Sequence, residues 1–222
     1  MIDKLLSFSS ITKKVVMALA GLFLGSFLLV HLTINLMLLL NDNGKMFSAA
    51  AHFMSTNIVI KVFEIVLFGG FLIHIIFGLW VTFKNWSARP IGYFKSNKSE
   101  TSFFSKYMFH TGVIIGIFLL LHFINFYFVK LGLVNAPSGL DTHDFYNMAI
   151  LLFQNKIYSL IYIVFFIFLG FHLNHSIQSA FQTIGVNHNT YNSLIIVIST
   201  IYSVIIAVGF SIIPIYFMFF YN

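Results

Sequence analysis

The chain has 222 residues, 59% hydrophobic and 8% charged, with 29 Phe and a formal net charge of +6. A soluble domain carries about 25% charged residues, so this composition excludes an ordinary soluble fold and points to an integral membrane protein. There is no cysteine, which excludes disulfides, iron–sulfur clusters and thiolate metal sites on this chain. Redox chemistry here has to use His, a bound cofactor, or both.

The chain opens "MIDKLLSFSSITKKVVMALAGLFLGS", a basic start followed by an apolar run, as in a signal peptide. The run continues to about Leu40 without a convincing cleavage site, so it reads as a retained first span. A helix needs about 20 apolar residues to cross the hydrocarbon core. Five segments qualify, at about 15–40, 57–83, 107–130, 157–182 and 191–220. Pro214 lies in the last and is expected to bend it near its end. Turn formers separate the spans: "NDNG" at 41–44, "SARPIG" at 87–92, "NAPSG" at 135–139 and "GVNHN" at 185–189. The polar stretches read as loops too short to fold alone. The expected fold is therefore all-α, a single transmembrane domain over 1–222 with five helices.

Charge orients the bundle. Lys4, Lys13 and Lys14 precede or open the first span, and Lys84, Arg89, Lys95, Lys98 and Lys106 lie between the second and third. The opposite side has Lys45, Lys61, Lys130 and Lys156, with Asp42, Asp141 and Asp144 nearby. The positive-inside rule then puts the N-terminus in the cytoplasm and the C-terminus outside. Below, "inner" denotes the end of the bundle that carries the start of the first span.

Five of the nine His (His52, His110, His143, His175 and His188) fall in loops or near helix ends and read as solvated or interfacial side chains. His31, His74, His122 and His172 lie inside four different spans, where an imidazole is costly unless something binds it. Each sits in the later half of its span, and consecutive spans run in opposite directions. His31 and His122 therefore share an outer level, and His74 and His172 an inner one. At about 1.5 Å per residue the levels differ by roughly 10–15 Å. Two His at one depth on two helices suit bis-imidazole ligation of a haem iron, and two such pairs imply two haems b.

Glycine spacing adds a regularity. Gly21, Gly25 and His31 repeat as Gly112, Gly116 and His122, both G-x3-G-x5-H, with room either for helix packing or for the face of a flat macrocycle at the outer level. A zinc or di-iron site would want clustered His with carboxylates. The only close pair, His172 and His175, has no acid beside it. Glu64 is the one acid embedded in a span. It either snorkels to the outer interface, pairs with Lys61, or exchanges protons with a quinone near the outer level.

Four passages carry a family resemblance: "GLFLGSFLLVHLTIN", "FSAAAHFMSTNIVIKVFEIVLFGGFLIHIIFGLWVTF", "HTGVIIGIFLLLHFINF" and "IFLGFHLNHSIQSAFQTIGVNH". With them the chain resembles the cytochrome b558-type membrane anchor of succinate:quinone oxidoreductase, a single-chain, five-helix, di-haem subunit. The resemblance implies His31 and His122 on a distal haem, and His74 and His172 on a proximal haem. It implies menaquinone as substrate and two partners docked on the cytoplasmic face: a flavoprotein with covalent FAD and an iron–sulfur subunit. It also implies a bacterial cytoplasmic membrane, with no nucleic acid involved and no succinate chemistry on this chain. Rival expectations are a di-haem subunit of a hydrogenase or formate dehydrogenase, a transporter using His as proton relays, and an anchor without cofactor.

Overall fold

A computed structural model describes residues 9–87, 107–186 and 188–221. Lys4, Arg89, Lys95, Lys98 and Lys106, most of "SARPIG" and Asn187 of "GVNHN" lie outside the described residues. The described residues are helical and contain no strand. In hydrocarbon only a helix or a closed barrel satisfies every backbone N–H and C=O, so long apolar runs without internal breakers become helices.

Five helices are long and apolar enough to span a membrane. They are α1 (Ser10–Leu36), α3 (Ile58–Ser87), α4 (Met108–His122, continuing to Lys130), α6 (Lys156–Thr183) and α7 (Asn189–Phe219). The starts of α1, α3, α6 and α7 are capped by side chains, which satisfy otherwise unpaired helix N–H groups. Ser9 accepts from Thr12 N at 3.1 Å. Asn57 accepts from Val59 N at 2.9 Å, and Asn155 from Ile157 N at 3.0 Å. The helix α7 runs through Pro214 to Phe219 and ends only there.

Two short helices lie in what the sequence presents as outer loops, α2 (Lys45–Thr56) and α5 (Phe145–Gln154). Both are too short to span, and both bury an apolar face: Phe47 from α2, and Met148, Ala149, Ile150 and Phe153 from α5. A left-handed turn at Asn43 and Gly44 starts α2. Gly44 lies flat on the Tyr146 ring, where a Cβ would come within 2.5 Å of ring carbons. Burial, then a hydrogen bond with the Tyr221 hydroxyl, pushes the Tyr146 phenol up to about 12. It therefore stays neutral under the turn.

The helices α6 and α7 pack most extensively, and α1 packs against α3, α6 and α7. Small residues set the close approach. A Cβ on Gly170 would lie 2.9 Å from Ala207 Cβ, and one on Gly209 would lie 2.8 Å from Leu32. The buried core joins Leu32, Leu38, Phe47, Phe153, Tyr162, Phe166, Phe210 and Phe217 beneath α2 and α5. Around it the bundle exposes apolar side chains such as Ile65, Leu72, Ile117 and Ile157. A surface of that kind belongs in lipid.

Candidate functional site

His31 is on α1, His74 on α3, His122 at the end of α4 and His172 on α6. The structure brings them together in two pairs. The His31 and His122 ring centroids are 5.8 Å apart with planes at 84°. Those of His74 and His172 are 6.4 Å apart at 77°. A metal–imidazole bond is about 2 Å, so one metal between two imidazoles sets ring centroids about 6 Å apart. Among the described residues no group of three or more His, Cys, Asp or Glu gathers as a metal site. Two imidazoles are too few for a four-ligand zinc site. They suffice where a macrocycle supplies the remaining donors.

The second nitrogen of a metal-bound imidazole is normally held by a partner. In the inner pair it is. His74 Nδ1 lies 3.3 Å from the Met17 carbonyl. A carbonyl only accepts, so the proton sits on Nδ1 and leaves the Nε2 lone pair for a ligand. His172 Nδ1 lies 3.2 Å from Thr111 Oγ1, whose own proton goes to the Met108 carbonyl at 2.9 Å. Thr111 therefore accepts from His172, and Nε2 is again the lone-pair nitrogen. Near this inner end Lys13 is almost fully buried, its ammonium 3.7 Å over the Trp80 ring, and Lys84 approaches the same ring at 4.7 Å.

The outer pair is built differently. His31 Nδ1 is 3.4 Å from Asn35 Nδ2, which makes its shorter bond, 2.7 Å, to the His31 carbonyl. His122 Nδ1 is buried with no hydrogen-bond partner among the described residues. A buried polar atom without a partner marks a candidate functional group. Both rings border a cavity of about 660 Å³ lined by Phe27, Phe118, Phe123, Phe166 and Phe210 among others. Its size and apolar walls fit a cofactor or drug-sized ligand.

Glu64 lies on this cavity too. Its partners are on α4, not on its own helix. The Tyr127 hydroxyl donates to Oε1 at 2.7 Å, and the Lys130 ammonium to Oε2 at 3.2 Å. The expected pairing with Lys61 is thus replaced by Lys130. A segment of π-helix, Phe123–Tyr127, follows His122 directly. Such segments concentrate at functional sites, and nothing in the composition of "FINFY" announces one.

No protein-family model, curated protein or solved structure matches this chain.

The first glycine of each repeat lies beside the inner pair of imidazoles, not the outer one. A Cβ on Gly21 would lie 3.1 Å from His74 Cε1, and one on Gly112 would lie 3.6 Å from His172 Cε1. The first glycine of each repeat therefore faces an inner imidazole. Gly25 faces the Tyr202 hydroxyl, which donates to its carbonyl, and a Cβ on Gly116 would enter open space. The reason is depth: ten residues at about 1.5 Å each put the first glycine of a repeat roughly 15 Å from its His, at the inner level. Of the remaining His, His52, His110, His143 and His188 are exposed and His175 is half-buried.

Proposed function

We propose that the chain is the cytochrome b558-type membrane anchor of a succinate:quinone oxidoreductase, working as succinate dehydrogenase or fumarate reductase. His31 and His122 hold an outer haem b, and His74 and His172 an inner haem b. The observation that carries this reading is the pairing of four membrane-embedded imidazoles from four helices, at 5.8 and 6.4 Å between ring centroids. A haem b at each pair supplies a one-electron carrier, so the two pairs can link a donor at the inner face to menaquinone in the membrane.

The chain's own residues bind and orient. The Met17 carbonyl and Thr111 hold the Nδ1 protons of His74 and His172, leaving each Nε2 lone pair available to ligate. Phe118 and Phe126 flank the His122 ring at 5.9 and 5.3 Å. With the other apolar walls they keep water from the outer imidazoles. Glu64, at the cavity edge with Tyr127 and Lys130, is the group that exchanges protons with quinone.

The assignment of partners rests on the resemblance and on the basic bias of the inner side. They are a flavoprotein with FAD and an iron–sulfur subunit at the cytoplasmic face of a bacterial membrane.

Purification of the complex tests the proposal. Pyridine haemochrome analysis should give about two haems b per chain, and the co-purifying subunits should carry covalent flavin. No haem would leave a proton-relay transporter or a bare anchor. Nickel or molybdenum in place of flavin would assign the chain to a hydrogenase or formate dehydrogenase.

A further inference from the structure

The outer cavity has two functional walls. One is made by the imidazoles of His31 and His122, the other by the carboxylate of Glu64 with Tyr127 and Lys130. His122, Tyr127 and Lys130 come from one short stretch of α4 that contains the π-helical turn. In an α-helix the residue four positions on stacks over the first, and the fifth falls to the side. In a π turn hydrogen bonds close from i to i+5, so the fifth residue comes back over the first. Tyr127 is the fifth residue after His122.

The turn is held from both sides. Phe68 on α3 packs 4.9 Å from the Tyr127 ring and 5.5 Å from Phe123. Asn125, at the centre of the turn, donates to the Tyr162 hydroxyl on α6 at 2.9 Å. The imidazole directly precedes the turn and the phenol ends it, the phenol packed on α3 and the centre of the turn bonded to α6.

We infer that the π turn makes Tyr127 a positioning residue of a quinone pocket, and this deepens the reading above and rests on it. The Tyr127 hydroxyl and the Lys130 ammonium fix the Glu64 carboxylate on the cavity that His122 also lines. Each carboxylate oxygen takes one bond from these two donors and keeps further acceptor capacity. That capacity suits the hydroxyl of a reduced two-oxygen aromatic ring. The Tyr127 proton is engaged by Glu64, so Tyr127 orients the acceptor and does not itself donate to the ligand. The Phe side chains lining the cavity suit the ring's apolar face.

The test uses the purified complex with Tyr127→Phe, Lys130→Met and Lys130→Arg. The probe is a short-tailed naphthoquinol, followed by equilibrium binding and by steady-state turnover across pH. Tyr127→Phe should keep the haem content and reduced spectrum of the unaltered complex and weaken binding about tenfold or more, as loss of a hydrogen bond to a charged group does. Its pH profile should move relative to the unaltered complex. Lys130→Arg should restore most of the binding lost in Lys130→Met. Unchanged binding and an unmoved pH profile in Tyr127→Phe would overturn the inference, as would loss of haem in that variant, which makes the residue merely structural. Absence of haem from the unaltered complex would instead overturn the proposed function itself.

Discussion

Gly21→Ala separates two readings of one glycine. Spacing relative to His31 places Gly21 with the outer pair, whereas the structure places it against His74. The new Cβ would sit 3.1 Å from His74 Cε1 and 3.3 Å from Nδ1. The ring has to retreat by a few tenths of an ångström. Its bond to the Met17 carbonyl is already long at 3.3 Å, so the retreat removes it. Alanine gains about 0.5–1 kcal/mol of helix stability over glycine, and overpacking costs about 1–3 kcal/mol. The net cost is about 0–2.5 kcal/mol, which the bundle survives. Loss of the partner of a ligating imidazole typically costs about 10–100-fold in metal affinity. On the proposed function, the expected outcome is depletion of the inner haem with the outer one retained. Redox titration of membranes reads this, the inner component being the one missing in His74→Ala. Gly112→Ala is the control, since its Cβ meets His172 only at an ordinary 3.6 Å, and both components should remain. If Gly21→Ala removes the component that His31→Ala removes, the structural argument is wrong.

Three further outcomes follow from the same geometry. His31→Ala should abolish one redox component and spare most of the other; equal loss of both, or of neither, would falsify the pairing. Glu64→Gln removes the charge that Lys130 meets at 3.2 Å and should slow quinone turnover by about a hundredfold or more. The haem spectra should not change, and a normal turnover rate retires Glu64 from proton exchange. Gly44→Ala forces a side chain into φ +74° and against Tyr146 at 2.5 Å, at a cost of about 2–4 kcal/mol. Limited proteolysis should cut the 40–57 segment faster than in the unaltered chain, and equal rates would show that the turn has room for a Cβ.

Much of the architecture is legible in composition. A run of about 20 apolar residues has to become a helix in lipid because its backbone cannot find partners elsewhere. The five expected spans and the five observed helices therefore differ only at their ends. The helices α2 and α5 escaped that logic. They are too short to span, and the turn formers before them read as loop. Their burial depends on the apolar space beneath them, which exists only once α1, α6 and α7 have packed.

Depth along a helix is a linear property, and sequence alone determined it. Residues late in antiparallel spans alternate between two levels, which is why His31 can be matched with His122, and His74 with His172, by position. Direction around the helix axis is different, because it depends on which neighbour each face meets. Only the tertiary structure decided that Glu64 meets Lys130 and not Lys61, and that Lys13 lies over Trp80. The π turn at Phe123–Tyr127 belongs to the same class. A single extra residue per turn leaves no mark in an apolar sequence, yet it changes the phase of everything after it. Beyond it, Tyr127 and Lys130 bond to Glu64 on the cavity that His122 also lines.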